Sequence, residues 1–310
     1  MTAADMQAVF ASVPAFKSRR PNHATPLAGQ SWAMIFAKSS TRTRVSFEVG
    51  IHELGGRPLF LNAGDIQLGR GEPVKDTARV LGRMVHGIVI RTYAAKEVEE
   101  LAALAGIPVV NALTDEEHPC QVLTDIFTIQ EKLGSIAGKV VTFVGDGACN
   151  VPVSWIWAAS KLGFELRIAA PKNYQPTRDL LIHAGGQPGA VSPGGANAVY
   201  YWDFPSGGRV ALTQNLNWAA TGADVLYTDV WVSMGKEAES AQRLTELAGY
   251  QINAELVKLA KPGALVMHCL PAYRGKEIDD ATFEANAATI FDQAENRLHV
   301  QKAILNWLVT

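Results

Sequence analysis

Apolar and polar positions alternate along this chain in blocks that predict strands followed by helices. Short apolar runs such as Ala33-Met34-Ile35-Phe36 and Val140-Val141-Thr142-Phe143-Val144 have the length and composition of buried strands. Each run is followed by a turn and then by a stretch with helical spacing of its apolar residues. This alternation predicts an α/β fold in which helices cover both faces of parallel sheets.

The first half of the chain contains four predicted strands with helices between them. The strands are predicted over residues 32–36, 57–61, 87–90 and 108–111, and the helices over residues 45–54, 75–84 and 96–105. In the first of these helices, Val45, Val49 and Leu54 share the apolar side, which we expect to face the core.

The second half repeats the alternation. Its strands are predicted over residues 139–144, 165–169, 224–228, 264–267 and 289–291, and its helices over residues 122–133, 153–162, 253–260 and 296–308. The Gly- and Pro-rich stretch 188–208 predicts no regular element. Ahead of both halves, Pro14 and two later prolines predict a short helix near residues 6–10 and then a loop.

Three polar clusters follow strands of the first half. The first is the turn Ser40-Thr41-Arg42-Thr43-Arg44, and the others are Arg91 and His118-Pro119-Cys120-Gln121. Because the carboxyl ends of parallel strands share one edge of a sheet, we expect the clusters to converge on one positively charged pocket. Free N–H groups at a helix N-terminus and the guanidinium fork both suit a phosphate group.

Each of these residues also has a simpler explanation. The turn could be an ordinary helix start with two solvated arginines, Arg91 a solvated surface charge, and His118 a loop or cap residue. Gln121 could simply begin a helix, and Cys269 could be a small buried hydrophobe. The convergence of three clusters at one sheet edge favours anion binding over these alternatives.

Charge and composition narrow the class of protein. The 310 residues suffice for about two domains, and the net charge of −2 argues against a general nucleic-acid binder. No apolar run is long enough for a membrane span, and the first residues do not resemble a signal peptide. The three cysteines lie far apart and form neither a disulfide framework nor a metal-ligand spacing, which predicts a cytoplasmic protein without a bound metal.

The stretch Gly145-Asp146-Gly147-Ala148-Cys149-Asn150 has some likeness to a dinucleotide-binding fingerprint, because it follows a strand and precedes a helix. It lacks the third glycine, with Asn150 in that place, and no acidic residue ends the next strand to bind a ribose. The sequence therefore argues against binding of NAD.

Five separated motifs resemble those of the carbamoyltransferase family, and in particular of ornithine carbamoyltransferases. They are Ser40-Thr41-Arg42-Thr43-Arg44, His118-Pro119-Cys120-Gln121, Asp229-Val230-Trp231-Val232-Ser233-Met234-Gly235, His268-Cys269-Leu270-Pro271 and Glu295-Asn296-Arg297. The first two mark the wider family, which includes aspartate carbamoyltransferase. The Ser-Met-Gly and His-Cys-Leu-Pro motifs are more specific and point to ornithine as the acceptor.

The resemblance implies a domain arrangement and an assembly. A carbamoyl-phosphate domain would comprise residues 1–134 and a last helix, 293–310, which crosses back to it, and an ornithine domain would comprise residues 135–292. Both would be doubly wound parallel-sheet domains with the active site in the cleft between them. The family forms trimers in which a loop of the neighbouring subunit completes each site. Here that loop would be residues 65–73, with Gln67 reaching across.

The resemblance also implies a role for each site residue in the transfer of a carbamoyl group to an amine, which would make citrulline for arginine biosynthesis. The catalytic residues would be Arg42, His118, Cys269 and Arg297. The carbamoyl-phosphate site would comprise Ser40, Thr41, Arg42, Thr43, Gln67, Arg91, His118, Gln121, Cys269, Leu270 and Arg297. L-Ornithine would be bound by Asn150, Asp229, Ser233 and Met234. No metal or organic cofactor is expected, because positioning and electrostatic stabilisation suffice for the reaction.

The chain departs from the family pattern in a few places. Ala37-Lys38-Ser39 stands where Glu-Lys-Pro is common, Tyr273 stands where a histidine often follows, and the loop before Asn150 is one residue longer than usual. Two alternatives stay open: another acceptor, such as putrescine or an acylated ornithine, and a non-catalytic binding protein of this fold. Asp229 favours ornithine, because it has a role only if the acceptor carries a free α-ammonium group.

Overall fold

The computed structural model describes residues 1–67, 71–233 and 235–310. The chain forms two compact units, one of Met1–Phe127 with Glu295–Thr310 and the other of Thr128–Ala294. Each unit has its own sheet flanked by helices, so the α/β fold with two sheet domains predicted from the alternation of strands and helices is confirmed.

The first unit is built on a four-stranded parallel sheet with the strand order β2-β1-β3-β4. Its elements are α1 (Ala3–Ser18), β1 (Ser31–Phe36), α2 (Arg42–Glu53), β2 (Arg57–Asn62), α3 (Val74–Leu81), β3 (Gly87–Arg91), α4 (Ala95–Ala105), β4 (Val109–Leu113) and the start of α5 (Pro119–Leu133). The three polar clusters lie at the carboxyl ends of β1, β3 and β4, where ligands bind in such sheets, and Arg91 is the last residue of β3.

The second unit is built on a seven-stranded sheet with the order β11-β10-β5-β6-β9-β8-β7. Its elements are β5 (Val140–Val144), α6 (Asn150–Leu162), β6 (Glu165–Ala169), α7 (Arg178–His183), β7 (Gln187–Ser192), β8 (Val199–Asp203), β9 (Arg209–Thr213), α8 (Leu216–Ala220), β10 (Val225–Thr228), α9 (Ser240–Glu246), α10 (Ala254–Val257), β11 (Leu265–His268), α11 (Asp280–Ala285) and the start of α12 (Ala287–Val309).

The stretch without a predicted element forms the hairpin of β7 and β8, which pairs antiparallel with β9. The second sheet is therefore mixed rather than wholly parallel. Because Gly and Pro are uncommon in strands, the sequence of this stretch did not predict β7 and β8. Strand β7 lies at the edge of the sheet, where Pro188 is tolerated.

Helix α1 is longer than the sequence predicted. It continues through Pro14 to Ser18 instead of ending near residue 10. The residues Met6, Val9, Phe10, Val13 and Phe16 are buried at helical spacing. Burial of this apolar stripe therefore offsets the cost of a proline inside the helix.

The predicted apolar side of α2 is wrong in part, because Val45 is exposed. The buried side instead contains Phe47, Gly50 and Ile51. A Cβ atom at Gly50 would lie 3.3 Å from Cγ of Lys302 and 3.6 Å from Cδ1 of Leu298. Glycine at this position thus allows α2 to pack closely against the last helix, residues 295–310 of which belong to the same unit.

The strand predicted over residues 289–291 is also wrong, because these residues lie in helix α12. Ile290 is fully buried in the apolar core of the second unit together with Phe283 and Ile278. A run of three residues with β propensity is too short to decide between strand and helix, and tertiary packing decides it here.

Among the helices in the described ranges, none is both long enough and apolar enough to cross a membrane.

Candidate active site

Helix α2 begins inside the Ser40–Arg44 motif. Thr41 has helical backbone angles without a side-chain cap, and its carbonyl accepts the hydrogen bond of the Val45 N–H group at 2.9 Å. The N–H groups of the first turn therefore lack acceptors within the helix, and the helix dipole adds partial positive charge. This helix end can hold an anion beside the carboxyl end of β1.

The two arginines of the motif lie in different surroundings. The guanidinium group of Arg44 stacks on Phe60, with its Cζ atom 3.5 Å from the ring centroid, and its Nε atom lies 3.4 Å from the Glu48 carboxylate. The charge of Arg42, in contrast, acts on Arg91 and His118. Of the pair, Arg42 is the arginine placed to bind an anion at the sheet edge.

The charges of three guanidinium groups act on the buried imidazole of His118. Burial, with the charges of Arg297 and Arg42, lowers the pKa of Arg91 to about 10. Burial and the charges of Arg297, Arg91 and Arg42 hold the pKa of His118 well below its usual 6.5. The imidazole is therefore neutral near pH 7 and keeps one N–H donor. Four predicted site residues of the first unit thus lie close enough for their charges to interact.

Arg297 links the last helix to two other predicted site residues. Its NH1 group donates to Oε1 of Gln121 at 2.5 Å, and its NH2 group donates to Oγ1 of Thr43 at 2.8 Å. All three side chains are buried. This part of the first unit thus combines fixed hydrogen-bond donors with an excess of positive charge, an arrangement that suits a negatively charged group.

The lowered pKa of His118 predicts a pH-dependent stability difference. The unfolded chain binds a proton at His118 below about pH 6.5, whereas the folded chain does not, so stability is lost as the pH falls below that value. In phosphate-free buffer, acidification from about pH 6.5 to about pH 5.5 should lower the free energy of unfolding of the wild type by about 1 kcal/mol more than that of a His118→Asn variant. Urea unfolding at each pH measures this difference, and parallel curves for the two proteins would contradict it.

In the second unit, Asp229 and Cys269 lie past the ends of the neighbouring parallel strands β10 and β11. The Cys269 thiol donates to Oδ1 of Asp229 at 2.8 Å, and the Val230 N–H group donates to the same oxygen at 2.7 Å. Burial raises the pKa of Asp229, against the lowering effect of His268 and of these two hydrogen bonds. The structure thus places two of the predicted residues in direct contact.

A buried pair fixes the loop that carries Cys269. Nδ1 of His268 accepts from the Leu270 N–H group at 2.8 Å, so Nε2 carries the proton and donates to Oε1 of Glu277 at 3.2 Å. The same carboxylate oxygen accepts from the Tyr273 N–H group at 2.5 Å. These bonds hold Leu270 at a φ of +61°, which a leucine rarely adopts. Sequence reasoning gave His268 no role, and no motif pointed to Glu277.

Ligand atoms of Asp229, His268 and Cys269 lie within 4.8 Å of one another, close enough in principle to hold a metal ion. The sequence did not indicate this group, because Asp229 comes from a different strand end. Both ring nitrogens of His268 are engaged in hydrogen bonds, so an ion would have to displace one of them. In the arrangement described here, the group orients the Cys269 thiol towards Asp229.

Arg243 anchors the loop that follows β10. Its NH1 group donates to Oδ2 of Asp146 at 2.7 Å and to the Trp231 carbonyl at 3.2 Å, and its Nε atom donates to Glu239 at 2.8 Å. Asp146 follows β5 and precedes Asn150, so the guanidinium group connects the two loops that contain the predicted ornithine residues. Sequence reasoning missed both residues, because they are 97 positions apart.

The other predicted site residues are divided between the two units. Ser40 precedes α2, Asn150 begins α6, Ser233 lies in the loop after β10, and the side chain of Gln67 is exposed. Residues 68–70 of the predicted intersubunit loop, and Met234, lie outside the described residues.

Two family models together match most of the chain. The model described as the carbamoyl-P binding domain of aspartate/ornithine carbamoyltransferase matches residues 1–131. The model described as the Asp/Orn binding domain of aspartate/ornithine carbamoyltransferase matches residues 137–308.

Two proteins of similar sequence and one solved structure are named ornithine carbamoyltransferase. The ornithine carbamoyltransferase of Akkermansia muciniphila is 53% identical over 292 residues, covering 93% of this chain and 89% of that protein. The ornithine carbamoyltransferase of Campylobacter fetus is 51% identical, covering 94% and 88%. The solved structure of the ornithine carbamoyltransferase from Pyrococcus furiosus has a TM-score of 0.87 at 43% identity, covering 99% of this chain and 94% of that one.

Proposed function

This chain belongs to the aspartate/ornithine carbamoyltransferase family, and from that premise we propose that it transfers the carbamoyl group of carbamoyl phosphate to the side-chain amine of L-ornithine. The products are L-citrulline and phosphate. Three relatives that are 48–53% identical to this chain are named ornithine carbamoyltransferase, which supports ornithine over other acceptors.

The observation that carries the proposal is the group of three guanidinium cations around neutral His118. Arg91 and Arg297 are buried, and this concentration of positive charge is costly unless an anion compensates it. A phosphate dianion provides that compensation, and the first turn of α2 adds N–H donors from Ser40-Thr41-Arg42 onwards. The pocket therefore has the chemistry required by an acyl phosphate.

Within this pocket, Arg42 and Arg91 bind the phosphate together with Ser40, Thr41 and Thr43. The carbonyl oxygen of the donor gains negative charge as the amine attacks. His118 and Arg297 donate to that oxygen, while Gln121 holds the carbamoyl amide. Neutral His118 donates through its N–H group and Arg297 supplies the charge, which together stabilise the tetrahedral intermediate.

The residues of the second unit bind the acceptor. Asp229 pairs with the α-ammonium group of ornithine, and Asn150 with the loop at Ser233 and Met234 holds the carboxylate. The side-chain amine, having lost one proton, forms the new C–N bond. The bond between the carbonyl carbon and the phosphate oxygen then breaks, and the amine nitrogen loses its second proton. Cys269 and the Leu270 carbonyl orient the amine, so no acyl-enzyme forms.

A panel of amines tests the acceptor. Purified protein is incubated with carbamoyl phosphate and either ornithine, putrescine, Nα-acetylornithine or aspartate, and phosphate release and the carbamoylated product are measured. Ornithine should give the highest kcat/KM. Higher activity with putrescine or acetylornithine would overturn the choice of ornithine, and no transfer to any amine would overturn the enzymatic function.

The assembly forms part of the proposal. A homotrimer in which Gln67 of one subunit completes the site of its neighbour agrees with the exposure of the Gln67 side chain. Light scattering should give a mass near three times 33.4 kDa. A monomer with full activity would contradict it.

The cellular setting is proposed from the same resemblance. A cytoplasmic enzyme of arginine biosynthesis would run in the direction of citrulline. The solved structure of the anabolic ornithine carbamoyltransferase from Campylobacter jejuni, with a TM-score of 0.88 at 38% identity, supports this direction. Initial rates of citrulline formation that fall below those of its phosphorolysis at matched substrate concentrations would argue for the opposite role.

A further inference from the structure

A chain of buried hydrogen bonds lies behind the cationic pocket and begins at Asp125. Oδ1 of Asp125 accepts from Nε2 of Gln121 at 2.8 Å, and Oε1 of Gln121 accepts from Arg297 at 2.5 Å. Arg297 in turn donates to Thr43 at 2.8 Å. Asp125 is fully buried, and all four residues belong to the first unit.

The chemistry of the two end groups fixes the orientation of the Gln121 amide. A carboxylate accepts hydrogen bonds, and a guanidinium group donates them without accepting any. The Gln121 nitrogen must therefore face Asp125, and its oxygen must face Arg297. Asp125 lies four residues after Gln121 on α5, so the two side chains share one face of a rigid helix.

Given the proposed function, the orientation of the Gln121 amide determines which donor substrate it can recognise. An amide oxygen has two lone pairs, and Arg297 uses one of them. The other can accept from the NH₂ group of a carbamoyl phosphate held beside Arg297. Acetyl phosphate has the same charge and nearly the same shape, but its methyl group has no N–H to donate.

We propose that Asp125 is a positioning residue that keeps the Gln121 oxygen directed at the donor's NH₂ group, and thereby selects carbamoyl phosphate over acetyl phosphate. In an Asp125→Asn variant only Arg297 still requires the Gln121 oxygen, and the new amide at position 125 can itself donate to that oxygen and draw it away from the substrate. The NH₂ group of carbamoyl phosphate then loses its acceptor, whereas acetyl phosphate loses nothing.

The test compares three ligands in the wild type and in an Asp125→Asn variant. KM is measured for carbamoyl phosphate, and inhibition constants are measured for acetyl phosphate and inorganic phosphate as its competitors. In the variant, KM for carbamoyl phosphate should rise about tenfold, while both inhibition constants stay within about twofold. If all three ligands weaken in parallel, Asp125 acts through charge or folding alone and the proposal is wrong.

Two further variants control for general damage to the helix. Thr124→Val removes a buried hydroxyl that donates to the Cys120 carbonyl at 2.8 Å, one residue before Asp125. It should leave the preference for carbamoyl over acetyl phosphate unchanged. A change in this preference equal to that of Asp125→Asn would contradict the assignment.

The double variant Gln121→Glu/Asp125→Asn provides a rescue. Glu at position 121 accepts from both Arg297 and Asn at position 125. Position 121 therefore again presents an acceptor oxygen to Arg297, and the net charge equals that of the wild type, while the hydrogen bond between positions 121 and 125 is reversed. The double variant should recover most of the preference for carbamoyl phosphate, even if the single variant fails to fold. No recovery would overturn the inference, whereas a wild type unable to use carbamoyl phosphate would overturn the proposed function instead.

Discussion

Replacement of Arg297 by alanine is expected to lower kcat/KM for carbamoyl phosphate by about 10³-fold. The guanidinium group acts electrostatically on His118 and Arg91 and donates to Gln121 and Thr43. Its removal deletes a donor to the carbonyl oxygen of the substrate. It also leaves Oε1 of Gln121 without its charged partner in a buried site, which adds a cost of about 1–3 kcal/mol. Steady-state kinetics of citrulline formation at saturating ornithine measure the loss.

The Arg297→Lys variant distinguishes the effect of the positive charge from the effect of the guanidinium geometry. Arg297→Lys keeps the cation but cannot donate to Gln121 and Thr43 at once with a planar fork, so most of the activity should still be lost. Arg20→Ala is the matched surface control in the same unit, because Arg20 makes an exposed ion pair with Glu53 at 2.6 Å. Its activity should stay within about twofold of the wild type. An Arg297→Ala variant as active as this control would refute the role given to Arg297.

Most of the fold was predictable because the ends of strands and the starts of helices depend on residues that are close together in the sequence. The apolar run before Ser40-Thr41-Arg42-Thr43-Arg44 and the helical spacing after it identify β1 and α2 without any tertiary information. The rule that ligands gather at the carboxyl edge of parallel strands then groups Arg42, Arg91 and His118. The charges of Arg42 and Arg91 both lower the pKa of His118, which agrees with this grouping.

Arg243, Asp146 and Glu277 could not be predicted, because no local pattern in the sequence identifies the partners of their side chains. Arg243 reaches Asp146 across 97 positions, and Glu277 reaches His268 around a tight loop. Asp125 is different, since its spacing of four residues from Gln121 on a predicted helix would have allowed the pair to be found. The antiparallel hairpin was missed because Gly and Pro hide the period of two that marks a strand.

The second large effect is expected at Asp229. An Asp229→Asn variant should lower kcat/KM for ornithine by about 10³-fold, because a buried charge pair with the α-ammonium group is lost, at a cost of about 2–5 kcal/mol. In the wild type the Cys269 thiol lies 2.8 Å from the Asp229 carboxylate, and the asparagine keeps an oxygen that can accept from it. The loss of activity therefore measures the effect of the missing charge and not a displacement of Cys269. Asp203→Asn, at an exposed ion pair with Arg209 in the same unit, is the control.

The acceptor 5-aminopentanoate, which is ornithine without its α-ammonium group, decides whether this explanation is right. If Asp229 serves to bind that group, Asp229→Asn should lower transfer to 5-aminopentanoate far less than transfer to ornithine. Equal losses with both amines would instead show that Asp229 acts on the attacking amine, through Cys269 or directly. That outcome would remove the residue-level argument for a free amino acid as acceptor, because no other described contact ties the site to an α-ammonium group.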